Sequence, residues 1–158
     1  MTQAMVMQQV TFDELWEAMY ALETAAAQAA AQRADAADIA ALETNLDATR
    51  RALEDKESLT ALDIEFHDLI AEASKNRALQ LAREPLTSLF YPPFYTVMNR
   101  LNAGERLLVA HQNVLDALRD HDTRKSKEWM EKHVTDFKRG HELADMDMSQ
   151  PVRHAALG

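Results

Sequence analysis

Only three glycines and four prolines punctuate the 158 residues of this chain. These are the residues that turn a backbone sharply, and a sheet-rich fold needs them at short, regular intervals. With so few, the chain has to run in long segments. Ala, Leu, Glu, Gln and Met fill those segments, and all five are strong helix formers. The pattern predicts an all-α fold, an antiparallel bundle of six to seven helices joined by short connections. The length suits a single domain able to bury a sizeable core.

Helix starts and stops can be placed from capping residues and apolar spacing. Thr11-Phe12-Asp13-Glu14 reads as a capping box. It opens a helix to about Gln32, with Phe12, Leu15, Trp16, Met19 and Leu22 on one stripe. The stretch from Ala25 to Ala31 is almost entirely alanine, which lets a neighbouring helix approach closely. Asp35 is placed to cap a second helix over 36–55, and Ser58 to begin a third that ends near Ala73. A fourth starts near Arg77, with Pro85 as a kink or a fresh first turn. Tyr91-Pro92-Pro93 reads as a firmer interruption, because two consecutive residues lack the N–H donor. A fifth follows Gly104, and Asp122 caps the last. We expect an N-terminal extension over 1–10, a helical ligand-binding domain over 11–144 and a mobile tail over 145–158.

Several function classes fall away. No run of about 18 apolar residues is present, so no membrane span is expected, and the first ten residues lack the basic and apolar regions of a secretory signal. The absence of cysteine excludes disulfides and fits a reducing cytoplasm. A net charge of -9 argues against this chain gripping DNA by itself, since duplex binding rests on neutralising phosphates. There is no HExxH, no Glu-x-x-His, no glycine-rich phosphate loop and no G-x-S-x-G, so no catalytic residue is assigned.

Asp63 and His67, four apart, project from one face of the third helix. With 26 acidic residues and six histidines, roughly one such pair arises by chance. His111 and His133 carry more information, because each sits in the apolar stripe of its own helix. The first lies between Leu107/Leu108 and Val114/Leu115, the second between Trp129/Met130 and Phe137. A lone inward histidine is more often a satisfied core residue than a ligand. Three of them with one inward carboxylate are costly to bury without a shared partner, and a divalent cation satisfies all four. The set suits zinc foremost, with nickel, iron, cobalt or manganese as alternatives. His121, His141 and His154 stand outside these stripes and are expected on the surface. Tyr91 and Tyr95, in an aromatic cluster with Phe90 and Phe94, serve either packing or ligand contact.

These residues resemble a known family. Asp63-x-x-Phe66-His67 with Ala73, Asn76 and Leu79 is similar to the central signature of the FCD domain, the effector domain of FadR-type regulators of the GntR family. His111-x-x-x-Leu115-x-Ala117-Leu118, then Asp122, Met130 and His133, is similar to its closing signature. The resemblance spans about residues 11–140 and implies a bundle with a central metal and ligand cavity. A metal would be held by Asp63, His67, His111 and His133, with a small organic acid beside it. It also implies a homodimer that reaches DNA only through a winged-helix domain, one not recognisable in the roughly ten residues ahead of the first helix. The family commonly has Arg where Met19 stands and an acid where Ala110 stands. Effector contacts are therefore sought among Met19, Asn76, Arg77, Tyr91, Tyr95 and Arg100, with Arg106 as a further guanidinium. Two other readings are a stand-alone metalloenzyme, with Glu65 or Asp68 turned inward as base, and a helical dimerisation module with structural histidines.

Overall fold

In a computed structural model, residues 1–153 are described except residue 102, with the backbone alone at 92, 93 and 98–101. Seven helices follow one another among the described residues: α1 (Thr2–Met7), α2 (Phe12–Arg33), α3 (Ala36–Arg51), α4 (Lys56–Ala73), α5 (Arg77–Leu101), α6 (Gly104–Arg119) and α7 (Thr123–Leu143). Most begin on a polar cap that supplies acceptors for the free N–H groups of the first turn. Thr11 with Glu14 and Asp35 with Asp38 form capping boxes at α2 and α3. Asp55, three residues before the expected start at Ser58, caps α4 by accepting from the Ser58 N–H. Asp122 caps α7 in the same way.

The helices end without glycine. Gln9, Lys75, His121 and Asp145 follow α1, α4, α6 and α7 in the left-handed region, each with φ between 52 and 55°. Gly104 is used for close approach: a Cβ there would lie 2.9 Å from Leu59 Cδ1 and 3.2 Å from the Leu53 carbonyl. That contact pins the start of α6 against α4.

α2 runs through the middle, touching α4, α5, α6 and α7. Its alanine face, Ala26, Ala27, Ala30 and Ala31, is fully buried against Phe66, Ile70, Val114, Leu118 and Met130. The short side chains let α7 come close enough for Ser126 Oγ to donate to the Ala27 carbonyl at 2.8 Å. A second core, around Phe12, Leu15, Leu59, Leu86, Phe90 and Phe94, fills the other end. Consecutive helices α3–α4, α4–α5 and α6–α7 pack side by side across short connections, which makes them antiparallel neighbours.

Two features depart from the local pattern. α5 continues as one helix through Pro85 and Pro92-Pro93, where an interruption was expected. Each internal proline costs about 3 kcal/mol of helix propensity, but Leu86, Leu89, Phe90, Tyr91, Phe94 and Val97 form a buried stripe that tertiary packing holds in helical register. The segment after α7, where periodicity fades, packs as far as Val152. Phe12 and Asp13, at the start of α2, donate to the carbonyls of Gln150 and Met148, and Val152 donates to Val10. Met148 and Val152 are buried against the second core. Residues 154–158, including His154, lie outside the described residues.

Candidate metal centre

α4, α6 and α7 each turn one apolar stripe inward, and each stripe is broken by polar residues at helical spacing. On α4, Asp63 and His67 flank Phe66 and precede Ile70. On α6, His111 follows Leu107 and precedes Val114 and Leu115; on α7, His133 lies beside Met130 and Val134. All four polar side chains are buried. One donor atom from each lies within 4.8 Å of the others.

The donor atoms converge on one point. His67 Nε2 and His133 Nε2 are 3.1 Å apart, and His111 Nε2 and His133 Nε2 are 3.2 Å apart. Asp63 Oδ1 lies 3.2 Å from His111 Nε2, 3.8 Å from His133 Nε2 and 3.9 Å from His67 Nε2. It is buried, yet accepts no well-directed hydrogen bond. Neighbouring ligands about 2.1 Å from one cation sit roughly 3.0–3.4 Å apart in octahedral or tetrahedral arrangements. The three separations of 3.1, 3.2 and 3.2 Å therefore fit a shared ion, while Asp63 Oδ1 stands somewhat farther, at 3.8 and 3.9 Å, from His133 and His67. The donor set fits too, with three imidazoles and one carboxylate, as does the orphaned Asp63 oxygen.

The surroundings prepare the imidazoles for that task. Glu23, on α2 and 1% exposed, lies 2.9 Å from His67 Nδ1. A proton on Nδ1 bonds the carboxylate and leaves the Nε2 lone pair directed at the other donors. Glu23 is in turn gripped by Arg83 of α5, whose Nε donates to it at 2.7 Å. Arg83 Nη1 reaches Asp68 at 2.6 Å, and its Nη2 is buried without a partner. The His111 ring stacks on Phe66 at 3.7 Å between centroids, which fixes its plane.

Protonation follows from these contacts. Burial opposes the charge on Asp63, but the His111 ring beside it and the facing His67 and His133 outweigh burial and hold the carboxyl below the usual range. Burial likewise works against Glu23, and His67 with Arg83 reverses it, so Glu23 also stays ionised. Burial, together with the neighbouring imidazoles, pushes His133 well below its ordinary value, and burial pushes His111 down. Both are thereby kept in the neutral form that ligates cations. For His67, burial is overcome by Glu23 and Asp63, and its value rises.

A chamber of about 20 Å³ borders this group, lined by Met19, Glu23, Asp63, His67, Tyr91 and His133 among others. It has room for a water molecule. Of the sequence-derived effector contacts, Met19 and Tyr91 face this chamber, and Tyr91 is buried so that its phenol is raised well above its ordinary value. Tyr95 is 44% exposed. Asn76 caps α5 by accepting from the N–H groups of Ala78 and Leu79, and Arg77 is exposed at the first position of that helix. The Arg100 side chain lies outside the described residues. Arg106 pairs with Asp136 at 3.0 Å near the surface. Glu65 and Asp68 do not turn inward: both residues are exposed, Glu65 accepting from Asn45 and Asp68 from Arg83.

His141 corrects an expectation. It is fully buried rather than at the surface, its ring tilted against Phe137 at 4.3 Å and Phe12 at 4.9 Å between centroids. Its Nδ1 bonds the Phe137 carbonyl at 3.0 Å and its Nε2 has no partner. The signal was its position four residues after Phe137. His121 is exposed, with Nδ1 2.9 Å from the Ala31 carbonyl. Glu23 and Arg83 were also missed. Each interrupts an apolar stripe, Glu23 four residues after Met19 and Arg83 between Leu79 and Leu86.

Compared with known proteins, residues 14–136 match the family model of the FCD domain. No curated protein matches the chain. Among the described residues no helix is long and apolar enough to cross a membrane.

Proposed function

The chain belongs to the FCD family, the effector-binding domain of GntR-family regulators, and on that premise we propose that it is a metal-dependent sensor of a small organic acid. The observation that carries the metal is the convergence of three imidazole Nε2 atoms and one carboxylate oxygen, buried and facing one another. A divalent cation, zinc foremost, supplies a Lewis-acidic anchor for a carboxylate when bound. Asp63, His67, His111 and His133 hold it, Glu23 sets the His67 tautomer, and Arg83 holds Glu23. Met19 and Tyr91 line the chamber beside the group.

The group ties five helices together, with ligands from α4, α6 and α7 and supporting residues from α2 and α5. An acid bound there with different affinity in two packings of these helices biases the equilibrium between them. In the proposed setting, the cytoplasm, a homodimer passes that bias to winged-helix domains on DNA. We assign no enzymatic role: the two carboxylates considered as a base, Glu65 and Asp68, face outward.

The test is thermal melting of metal-loaded and metal-stripped protein across a panel of small carboxylates, with each acid quantified afterwards. A sensor shows acid-dependent stabilisation in the loaded protein alone, and the acid is recovered unchanged. Consumption of the acid contradicts sensing. Equal stabilisation of stripped protein removes the metal from the account.

A further inference from the structure

A cleft of about 90 Å³ opens between α5, α6 and α7. Its walls include Phe94 and Val97 of α5, Leu107 and Ala110 of α6, and Phe137 and Leu143 of α7. It ends inside on His133, and the exposed Arg106 and Arg139 lie at its mouth. The small chamber beside Asp63 and His67 shares His133 and Phe137 with this cleft. A ligand too large for 20 Å³ that extends past those two side chains enters this cleft, against mostly apolar walls. A second cleft that reaches His133, of about 320 Å³, is lined by Glu105, Arg106, Lys132 and Asp136 and is a poorer match for an aliphatic body.

Resting on the acid-sensing reading above, we infer that the effector is an amphipathic monocarboxylic acid, with its carboxylate at the His133–Phe137 junction and its aliphatic body in the cleft. Arg106, Asp136 and Arg139 also line the cleft, with Arg106 and Asp136 paired to each other. The rest of its lining beyond His133 is apolar, and a hydroxy acid or polyacid would put polar groups against that part. A cavity of about 150 Å³ takes up benzene, so 90 Å³ accommodates a body of about four carbons. At the mouth Arg106 is paired with Asp136, and Arg139 adds a second cation that raises the local concentration of anions without selecting their length. Ala110 is the selective position: its single methyl leaves the cleft open beside His133, and a larger side chain closes it.

The experiment is calorimetric titration of the metal-loaded chain with acetate, propionate, butyrate, pentanoate and citrate. Affinity is expected to rise about fourfold per added methylene up to pentanoate, with citrate weaker than pentanoate. Ala110→Leu brings pentanoate down to the level of acetate with metal content unchanged. Leu143→Gln, at a position 59% exposed and so safe for folding, reduces the gain per methylene. Equal affinity for acetate and pentanoate, or a preference for citrate that neither variant alters, overturns the inference. So does a change of oligomeric state in Leu143→Gln with acid affinity intact, which gives the cleft to a second copy of the chain. If the chain binds no metal, the reading of the site fails separately, and pentan-1-ol then probes the cleft in metal-free protein. Stabilisation by the alcohol that Ala110→Leu abolishes supports the apolar occupant, and no stabilisation overturns it.

Discussion

At the scale of single residues, the site is built from polar groups placed where an apolar stripe calls for hydrophobes. His111 and His133 were legible for that reason, since each lies between apolar neighbours three and four residues away. Glu23 obeys the same rule but stands in a sequence with 26 acidic residues, which hides one inward carboxylate among many solvated ones. Its geometry gives a prediction. Glu23→Gln weakens the acceptor that fixes the His67 Nδ1 proton, and metal affinity should fall about 10–100-fold with the stoichiometry unchanged. Competition against a chelator of known affinity measures it, and an unaltered constant would show that Glu23 does not orient the ligand. His141 gives a second. Burial holds its folded-state value below 6.5, the unfolded chain therefore binds the proton more readily, and His141 removes stability as pH falls below about 6.5. His141→Phe keeps a ring among Phe12, Phe90 and Phe137 and loses that proton. In metal-free protein the variant should gain on the parent in denaturant midpoint as pH drops from 7 to 5. A constant difference would mean that His141 does not titrate differently in the two states.

Among the helices, capping and apolar period were readable, and for clear reasons. A cap is a local arrangement of three or four residues, so Thr11, Asp35 and Asp122 carry their own signal. α5 was not readable in the same way. Its prolines are local, but the stripe from Leu86 to Val97 that outweighs them acts through partners on α2, α4, α6 and α7, distant in sequence. The alanine face of α2 was read correctly as a place of close approach, and it sets a limit on volume. Ala30 is fully buried, so Ala30→Leu forces extra methyl groups into a packed seam and should cost about 1–3 kcal/mol. Denaturant unfolding at constant slope measures it. A neutral result would mean that α2 is not seated closely in the bundle.

For the whole molecule, the fold joins parts that no periodicity connects. The segment through Val152 supplies carbonyls to the first N–H groups of α2, a pairing across nearly the full length of the chain that only the folded state reveals. The metal group acts at the same scale, because its four donors come from three helices spread over seventy residues of sequence. Binding an ion there stabilises the fold by mass action, by about 2.7 kcal/mol when the free ion is at a hundred times its dissociation constant. Melting should therefore shift upward with added zinc and downward with chelator, and a melting temperature indifferent to both would leave the helices held by packing alone.

The most direct test of the central claim is elemental analysis of untagged protein purified without added metal, beside the His111→Ala/His133→Ala double variant. The account predicts about one divalent ion per chain in the parent, lost in the variant together with thermal stability. No metal in either protein, with the variant melting where the parent melts, would contradict it and leave a helical module whose histidines serve packing.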